Sequence, residues 1–136
     1  MDAPAHVDLA LHLEADWVTL PYRFPDPPDA LPDGPAIYSW WVNDLPVYVG
    51  EGEELRRRIK QYLSPGPSQQ TNIRLKGALV QRQAAGDRVA LRVLSGLRLN
   101  GETVSTADLS SKWLRSLLET WFIWWYGEQG FELLNL

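Results

Sequence analysis

The sequence contains no cysteine, and none of its apolar runs is as long as a membrane-spanning helix. Without cysteine, disulfide bonds, thiolate metal sites and a nucleophilic thiol are all excluded. A membrane helix needs about 20 predominantly apolar residues, and residues 1–10 carry Asp2 and Asp8 where an export signal carries basic residues. We therefore expect one cytoplasmic domain of 136 residues without a membrane partner.

Basic residues are scarce in the first part of the chain and concentrated in the middle. The formal net charge of -4 argues against a nucleic-acid partner, because phosphate contacts need local positive potential. However, residues 1–54 hold eleven acidic residues and one basic residue, whereas residues 55–86 hold seven basic residues and no acidic one. The basic segment is either the solvated side of two helices or a surface that binds phosphates.

The pattern of apolar residues predicts a β-hairpin followed by two helices. Residues 36–42 and 47–50 are β-branched and aromatic, and residues 43–46 between them are typical of a turn. A four-residue apolar spacing predicts a helix over 51–63. A second helix ends near Ala85, with Thr71 or Ser68 as its N-cap.

The rest of the chain predicts one more strand and a long helix. Alternation over 88–94 predicts a third strand, which could pair with 97–99 or 103–104. An apolar stripe over 109–126 predicts the last helix and places most of the seven tryptophans in the core. The expected fold is α+β, a small and mainly antiparallel three-stranded sheet flanked by helices in the order β-β-α-α-β-α. Residues 1–34 are expected to form an N-terminal extension, either a short helix or an extended arm, on a domain of residues 35–136.

Five short elements of the sequence together resemble the GIY-YIG nuclease superfamily. Residues 35–38, Pro-Ala-Ile-Tyr, and residues 48–50, Tyr-Val-Gly, are similar to its two motif strands, with Ala36 in place of glycine and Val49 in place of isoleucine. The helical segment 55–62 follows, and the family's later glutamate and terminal asparagine have counterparts in Glu119 and Asn135. The resemblance covers roughly residues 35–136.

This resemblance implies a metal-dependent endonuclease that cuts nucleic acid, with DNA as the expected substrate. It implies one divalent ion, Mg²⁺ or Mn²⁺, bound by a single glutamate and by waters, and a tyrosine that acts as general base on the attacking water. The implied catalytic residues are Tyr38, Tyr48, Arg58, Tyr62 and Glu119, with Glu119 as the metal ligand. Gly50 and Asn135 are expected to be structural, and the expected substrate-binding residues are Arg57, Lys60, Asn72, Arg74 and Lys76.

General chemistry is compatible with these roles. Mg²⁺ prefers oxygen ligands and keeps several waters, so one carboxylate and a substrate phosphate can hold it. The pKa of an ordinary tyrosine is about 10, so Tyr48 can act as a base only if Arg58 or the ion lowers that value. Arg58 would also offset the charge that develops on the phosphate oxygens.

Other interpretations of the same residues stay open at this point. Arg58 could be one of three equivalent surface arginines, and Glu119 could form an ordinary surface ion pair with Arg115. The chain could also be a catalytically idle module that binds nucleic acid or protein, since the Glu51 carboxylate would repel a phosphate. Trp40 or Trp41 could stack on a base. A homodimer is possible.

The hairpin decides whether the two motif tyrosines can share a site. Tyr38 and Tyr48 lie on one face if a three-residue loop, 43–45, puts Tyr48 opposite Trp40. A two-residue loop, 43–44, sends the tyrosines to opposite faces unless a bulge intervenes. Asn-Asp suits the tight turn less well than Asn-Gly, so we expect the three-residue loop or its five-residue extension.

Overall fold

The computed structural model describes residues 5–8, 10–105 and 107–135 and confirms the α+β class. Its sheet contains five antiparallel strands rather than the expected three. The strands are β1 (Leu13–Pro21), β2 (Ala36–Val42), β3 (Leu45–Gly52), β4 (Val89–Leu99) and β5 (Glu102–Val104). The helices are α1 (Leu55–Leu63), α2 (Gln70–Ala84) and α3 (Lys112–Glu128), and short 3-10 turns lie at 28–30 and 108–110.

The two additional strands flank β4, which is the longest strand. The order across the sheet is β1-β4-β2-β3, and β5 pairs with the last residues of β4 after a turn at Asn100 and Gly101. β1 lies within the expected extension and pairs with β4 along its whole length. Its side chains mostly alternate between partly buried and exposed, as in a strand with one face on a core. Tyr22, Phe24 and Leu31 from the same region lie in the core.

The hairpin between β2 and β3 turns through two residues, so the expected three-residue loop is wrong. Asn43 and Asp44 have φ angles of 48° and 65°, the left-handed pair that a type I′ turn requires. Asparagine and aspartate tolerate this conformation better than other residues with a side chain. Val42 consequently pairs with Leu45.

A β-bulge then restores the pairing that the two tyrosines need. The register shifts between Trp40 and Trp41, and Val47 has no partner in β2. Beyond the bulge, Trp40 pairs with Tyr48. Because directly opposed residues point to the same face, Tyr38 and Tyr48 share a face of the sheet.

Two helix starts differ from the sequence-based expectation. Helix α1 begins at Leu55, because Glu51 and Gly52 continue strand β3. Glu51 therefore does not lie on a helical face with Arg58 and Tyr62. The N-cap of α2 is Gln69 and makes no side-chain cap hydrogen bond, so neither Thr71 nor Ser68 has the expected role.

Helices cover both faces of the sheet and define two apolar clusters. The first cluster contains Tyr38, Trp40 and Tyr48 from the hairpin and is covered by α1 and α2. The second contains Ile37, Trp41 and Val49 and is covered by α3. The hairpin thus has one face toward α1 and α2 and the other toward α3.

Helix α3 buries one side and exposes several tryptophans on the other. Its buried residues are Arg115, Leu118, Phe122 and Tyr126. Trp113, Trp124 and Trp125 are exposed, so the expectation that most tryptophans are in the core is wrong for this helix. An apolar stripe on a helical wheel shows that a helix has an apolar side, but not that this side is covered.

No helix in the described part of the chain is both long and apolar enough to cross a membrane.

Candidate active site at the edge of strand β3

Two buried tyrosines form a hydrogen-bonded pair between the sheet and α1. Tyr38 projects from β2 and Tyr62 from α1; both are fully buried, and their hydroxyl oxygens are 2.6 Å apart. Burial raises the pKa of Tyr38 and Tyr62 well above the ordinary tyrosine value, although the Arg58 charge opposes the shift. Both tyrosines therefore stay protonated at neutral pH and act as hydroxyl donors.

Gly50 provides the space into which the Tyr38 ring projects. The two residues are directly paired between β2 and β3. A Cβ atom at position 50 would overlap the Tyr38 ring carbons and hydroxyl. Any side chain at Gly50 would therefore displace Tyr38 and its hydrogen bond to Tyr62.

Arg58 is held between the tyrosines and α2. Its guanidinium lies 4.8 Å from the centre of the Tyr62 ring, within the range of a cation–π contact. It donates hydrogen bonds to the side-chain oxygens of Asn72, at 3.0 Å, and Gln61, at 3.1 Å. Asn72 is buried, so this acceptor is fixed by the packing of α2.

The neighbouring arginines have different surroundings, so Arg58 is not equivalent to them. Arg56 donates from its side chain to the Leu31 carbonyl at 2.8 Å. Arg57 is 76% exposed and makes a 3.8 Å ion pair with Glu54. Only Arg58 is directed at the tyrosine pair.

Asn135 covers part of the outer edge of β3. Its side-chain amide donates to the Val49 carbonyl at 2.7 Å, and its carbonyl accepts from the Val49 amide at 2.9 Å. The Leu134 amide also donates to the Val47 carbonyl at 2.6 Å. The tail therefore binds the edge at residues 47–49, immediately before Gly50.

Glu119 approaches the same edge from α3, on the other face of the sheet. The carboxylate is half-buried and takes part in no hydrogen bond or ion pair within the described residues. Burial raises its pKa above the ordinary value, the Glu51 charge raises it further, and Lys112 and Arg58 oppose the shift. The Glu119 charge in turn acts on the pKa of Tyr38. The Arg58 charge thus acts on the pKa of both Tyr38 and Glu119.

A buried ion pair joins β3 to α3 next to Glu119. Arg115 donates to Glu51 at 2.8 Å, with 4% and 11% of the two side chains exposed, and Lys112 also binds Glu51. Arg115 further donates to the carbonyls of Leu109 and Ser110. Burial alone would raise the pKa of Glu51, but the hydrogen bonds from Lys112 and Arg115 hold it below its ordinary value.

The Glu51–Arg115 pair was not identified from the sequence, and it excludes the alternative in which Arg115 forms a surface ion pair with Glu119. One signal was present, because Arg115 lies at helical spacing from the buried Leu118 and Phe122. A charged residue on the buried side of a helix requires a partner.

The other expected substrate-binding residues do not converge on one point. Lys60 is exposed on α1. Arg74 donates to the Leu134 carbonyl at 2.6 Å and Lys76 to the Leu63 carbonyl at 2.9 Å, so both cations bind backbone groups. Asn72 binds Arg58 instead of facing solvent. Trp40 and Trp41 are buried and cannot stack on a base.

The metal-binding potential of this edge comes from Glu119. In the described part of the chain, no group of three or more histidine, cysteine, aspartate or glutamate side chains could enclose a metal ion. A half-buried carboxylate that forms no ion pair with the described residues nevertheless fits a divalent ion that keeps most of its waters. The carboxylate of Glu51 is engaged by Arg115 and Lys112.

Comparison with known proteins gives little further information. No family model matches the chain, and no curated protein matches it. Among solved structures, a mutant of bacteriophage T4 EndoII matches with a TM-score of 0.43 and 20% sequence identity. The match covers 65% of this chain and 73% of the EndoII chain. A likeness at this level does not establish a common family.

Proposed function

We propose that this protein is a metal-dependent endonuclease that hydrolyses phosphodiester bonds of DNA at the edge of β3. The observation that carries the proposal is the environment of Glu119. The Glu119 carboxylate is half-buried and forms no ion pair with the described residues, and the Arg58 charge acts both on its pKa and on that of Tyr38 in the hydrogen-bonded tyrosine pair. A divalent ion and a phosphate would complete this arrangement, because the ion balances Glu119 and the phosphate balances Arg58.

The proposed roles follow from exposure and orientation. Arg58 is held by Asn72 and Gln61, so it can bind a phosphate oxygen and stabilise the charge that develops there. Tyr38 and Tyr62 stay protonated, and because one hydroxyl donates to the other, a single proton of the pair is left to donate to the same group. Tyr48 lies on the same face of the sheet as Tyr38 and is less buried than Tyr38 and Tyr62. It is therefore the candidate base for the attacking water.

Glu119 is the proposed ligand of a single Mg²⁺ or Mn²⁺ ion. When bound, such an ion polarises the phosphate and lowers the pKa of water. The Glu51 carboxylate, which could repel a phosphate, is neutralised by Lys112 and Arg115. The observation that favoured a catalytically idle module is therefore weakened.

A plasmid-cleavage assay tests the proposal directly. Supercoiled DNA is incubated with the wild-type protein in Mg²⁺, in Mn²⁺ and in EDTA, beside Glu119→Gln and the control Glu132→Gln. Glu132 is exposed near the tail, so its substitution should leave cleavage unchanged. We expect metal-dependent cleavage that Glu119→Gln reduces by at least about a thousandfold, as for the loss of a transition-state charge interaction. Cleavage that persists in EDTA, or that survives Glu119→Gln, contradicts the proposal.

A further inference from the structure

Helix α3 carries an apolar stripe on the side that faces away from the sheet. The exposed fractions are 73% for Trp113, 53% for Leu117, 57% for Trp124 and 42% for Trp125. Trp121 is partly buried and stacks on Trp125, with ring centres 5.5 Å apart and planes 8° from parallel. We call these five residues, Trp113, Leu117, Trp121, Trp124 and Trp125, the outer stripe.

The outer stripe runs along most of α3, with Trp113, Leu117 and Trp124 away from the buried residues and with Trp121 and Trp125 at its margin next to β1. Trp113, Leu117, Trp121 and Trp124 are spaced by four, four and three residues, which places them on one side of a helix. The buried positions 115, 118, 122 and 126 follow the same spacing on the other side. Exposure of this many aromatic side chains on one helix is uncommon for a surface that stays in water.

The charges on α3 argue against a nucleic acid or an anionic membrane on the outer stripe. Nucleic-acid surfaces that stack on tryptophan also supply basic residues for the phosphates. Within residues 112–128 the basic residues are Lys112 and Arg115, and both pair with Glu51. The stripe therefore fits an apolar partner surface rather than a phosphate-bearing one.

The area of the outer stripe is sufficient for an interface between two copies of the chain. Its exposed side chains present on the order of 500 Å² if a fully exposed tryptophan contributes roughly 200 Å². Two copies would then bury roughly 1,000 Å², the lower limit for a specific protein interface. An antiparallel pair of helices brings each stripe onto an identical one, as a two-fold axis requires.

We propose that the protein forms a homodimer through antiparallel pairing of α3 along the outer stripe. With the axis near positions 118 and 119, Leu117 of one copy packs on Trp121 of the other. Trp113 then meets Trp124 and Trp125 of the partner copy. The proposal does not depend on nuclease activity, since it uses only residues outside the candidate site.

The first test measures oligomeric state with a matched pair of substitutions. Leu117→Lys places a charge in the middle of the stripe, whereas Leu45→Lys does so at the hairpin turn, where leucine is 55% exposed. Light scattering after gel filtration should give the wild type and Leu45→Lys twice the 15.5 kDa mass of the chain. Leu117→Lys should be monomeric, with an unchanged circular dichroism spectrum. A monomeric wild type, or a dimer that survives Leu117→Lys, overturns the proposal.

A cysteine cross-link tests the antiparallel arrangement, and the chain has no other cysteine to interfere. Thr120 and Glu128 are exposed at the margins of the stripe. In the antiparallel dimer Thr120→Cys lies beside its own copy, whereas Glu128→Cys is separated from its copy by roughly 28 Å along the helices. Oxidation should therefore cross-link Thr120→Cys and leave Glu128→Cys uncross-linked. Equal cross-linking of both variants indicates parallel helices and contradicts the arrangement.

Discussion

Arg58 on α1 and Glu119 on α3 are the two charged side chains of the proposed mechanism, and the fold surrounds them in different ways. Arg58 has two side-chain acceptors and an aromatic ring against its guanidinium. Glu119 is half-buried without a hydrogen bond or ion pair in the described residues, and its burial and then the Glu51 charge raise its pKa. The arginine is thus oriented in advance, whereas the glutamate has no comparable partner in the described part of the chain.

This difference indicates how the site could divide its tasks. A group that stabilises developing charge is most effective when its orientation is fixed before the reaction. A metal ligand must instead keep a coordination position open. Glu51, only one residue after Gly50, shows that the fold can neutralise a carboxylate in this region with Arg115 and Lys112. Glu119 has no such ion pair in the described residues.

On the Arg58 side of the comparison, the largest expected effect comes from removing the arginine itself. Arg58→Ala should lower kcat by about a hundredfold to a thousandfold, because a fixed charge is lost from the transition state. Arg57→Ala is the matched control, since Arg57 is 76% exposed one residue away, and it should change kcat less than about threefold. Both rates are measured on plasmid DNA in Mg²⁺. Equal losses in the two variants would mean that only general basicity matters and that Arg58 has no special orientation.

A smaller effect is expected from the residue that orients Arg58. Asn72→Ala removes a buried acceptor and should lower kcat by about tenfold with little change in KM, because the charge remains but its direction is lost. Gln70→Ala, in the exposed first turn of the same helix, is the control. Thermal unfolding is measured in parallel, since a purely structural role for Asn72 would lower the Tm and leave kcat unchanged.

The smallest expected effect concerns stability and has the opposite sign. Because the folded-state pKa of Glu119 is raised, its stabilising contribution is present below the unfolded pKa and is lost as the pH rises through the folded value. Glu119→Gln should therefore raise the Tm at pH 7 without divalent ions, on the order of 2 °C for a domain of this size. The gain should disappear at about pH 3, below the unfolded pKa, where the wild-type carboxyl is protonated in both states. A lower Tm at pH 7 would mean that the charged carboxylate has a protein partner.

The pattern of apolar residues was sufficient to predict the class of the fold. It was not sufficient to predict which side chains of α3 are exposed. Alternation and helical spacing report which side of an element is apolar, so they predicted the β2–β3 hairpin and all three helices. They do not report whether an apolar side is covered, and Trp113 and Trp124 are therefore exposed against expectation. Strand β1 was left open because the apolar pattern before Pro21 fitted either a short helix or an extended arm.

The candidate site was harder to predict, because its geometry depends on long-range contacts. Spacing in α1 put Arg58 and Tyr62 on one side, but Glu51 was assigned to the same helix because its carboxylate suits a first turn. The strand continues through Glu51 instead, and its partner is Arg115, which is distant in sequence. Pairing between residues so far apart leaves no periodic signal.

The bulge at Val47 has a consequence for recognising related proteins. If Val47 were deleted, Trp41 would still pair with Pro46 and Trp40 with Tyr48. Tyr48 would therefore stay on the same face of the sheet as Tyr38. The two tyrosines would then be nine residues apart in sequence rather than ten. A chain with either spacing could hold the same constellation, because nine residues fit the two-residue turn without a bulge and ten residues fit it with one. Relatives of this protein would have to conserve the shared face of the two tyrosines. They would not have to conserve the length of the gap between the motifs.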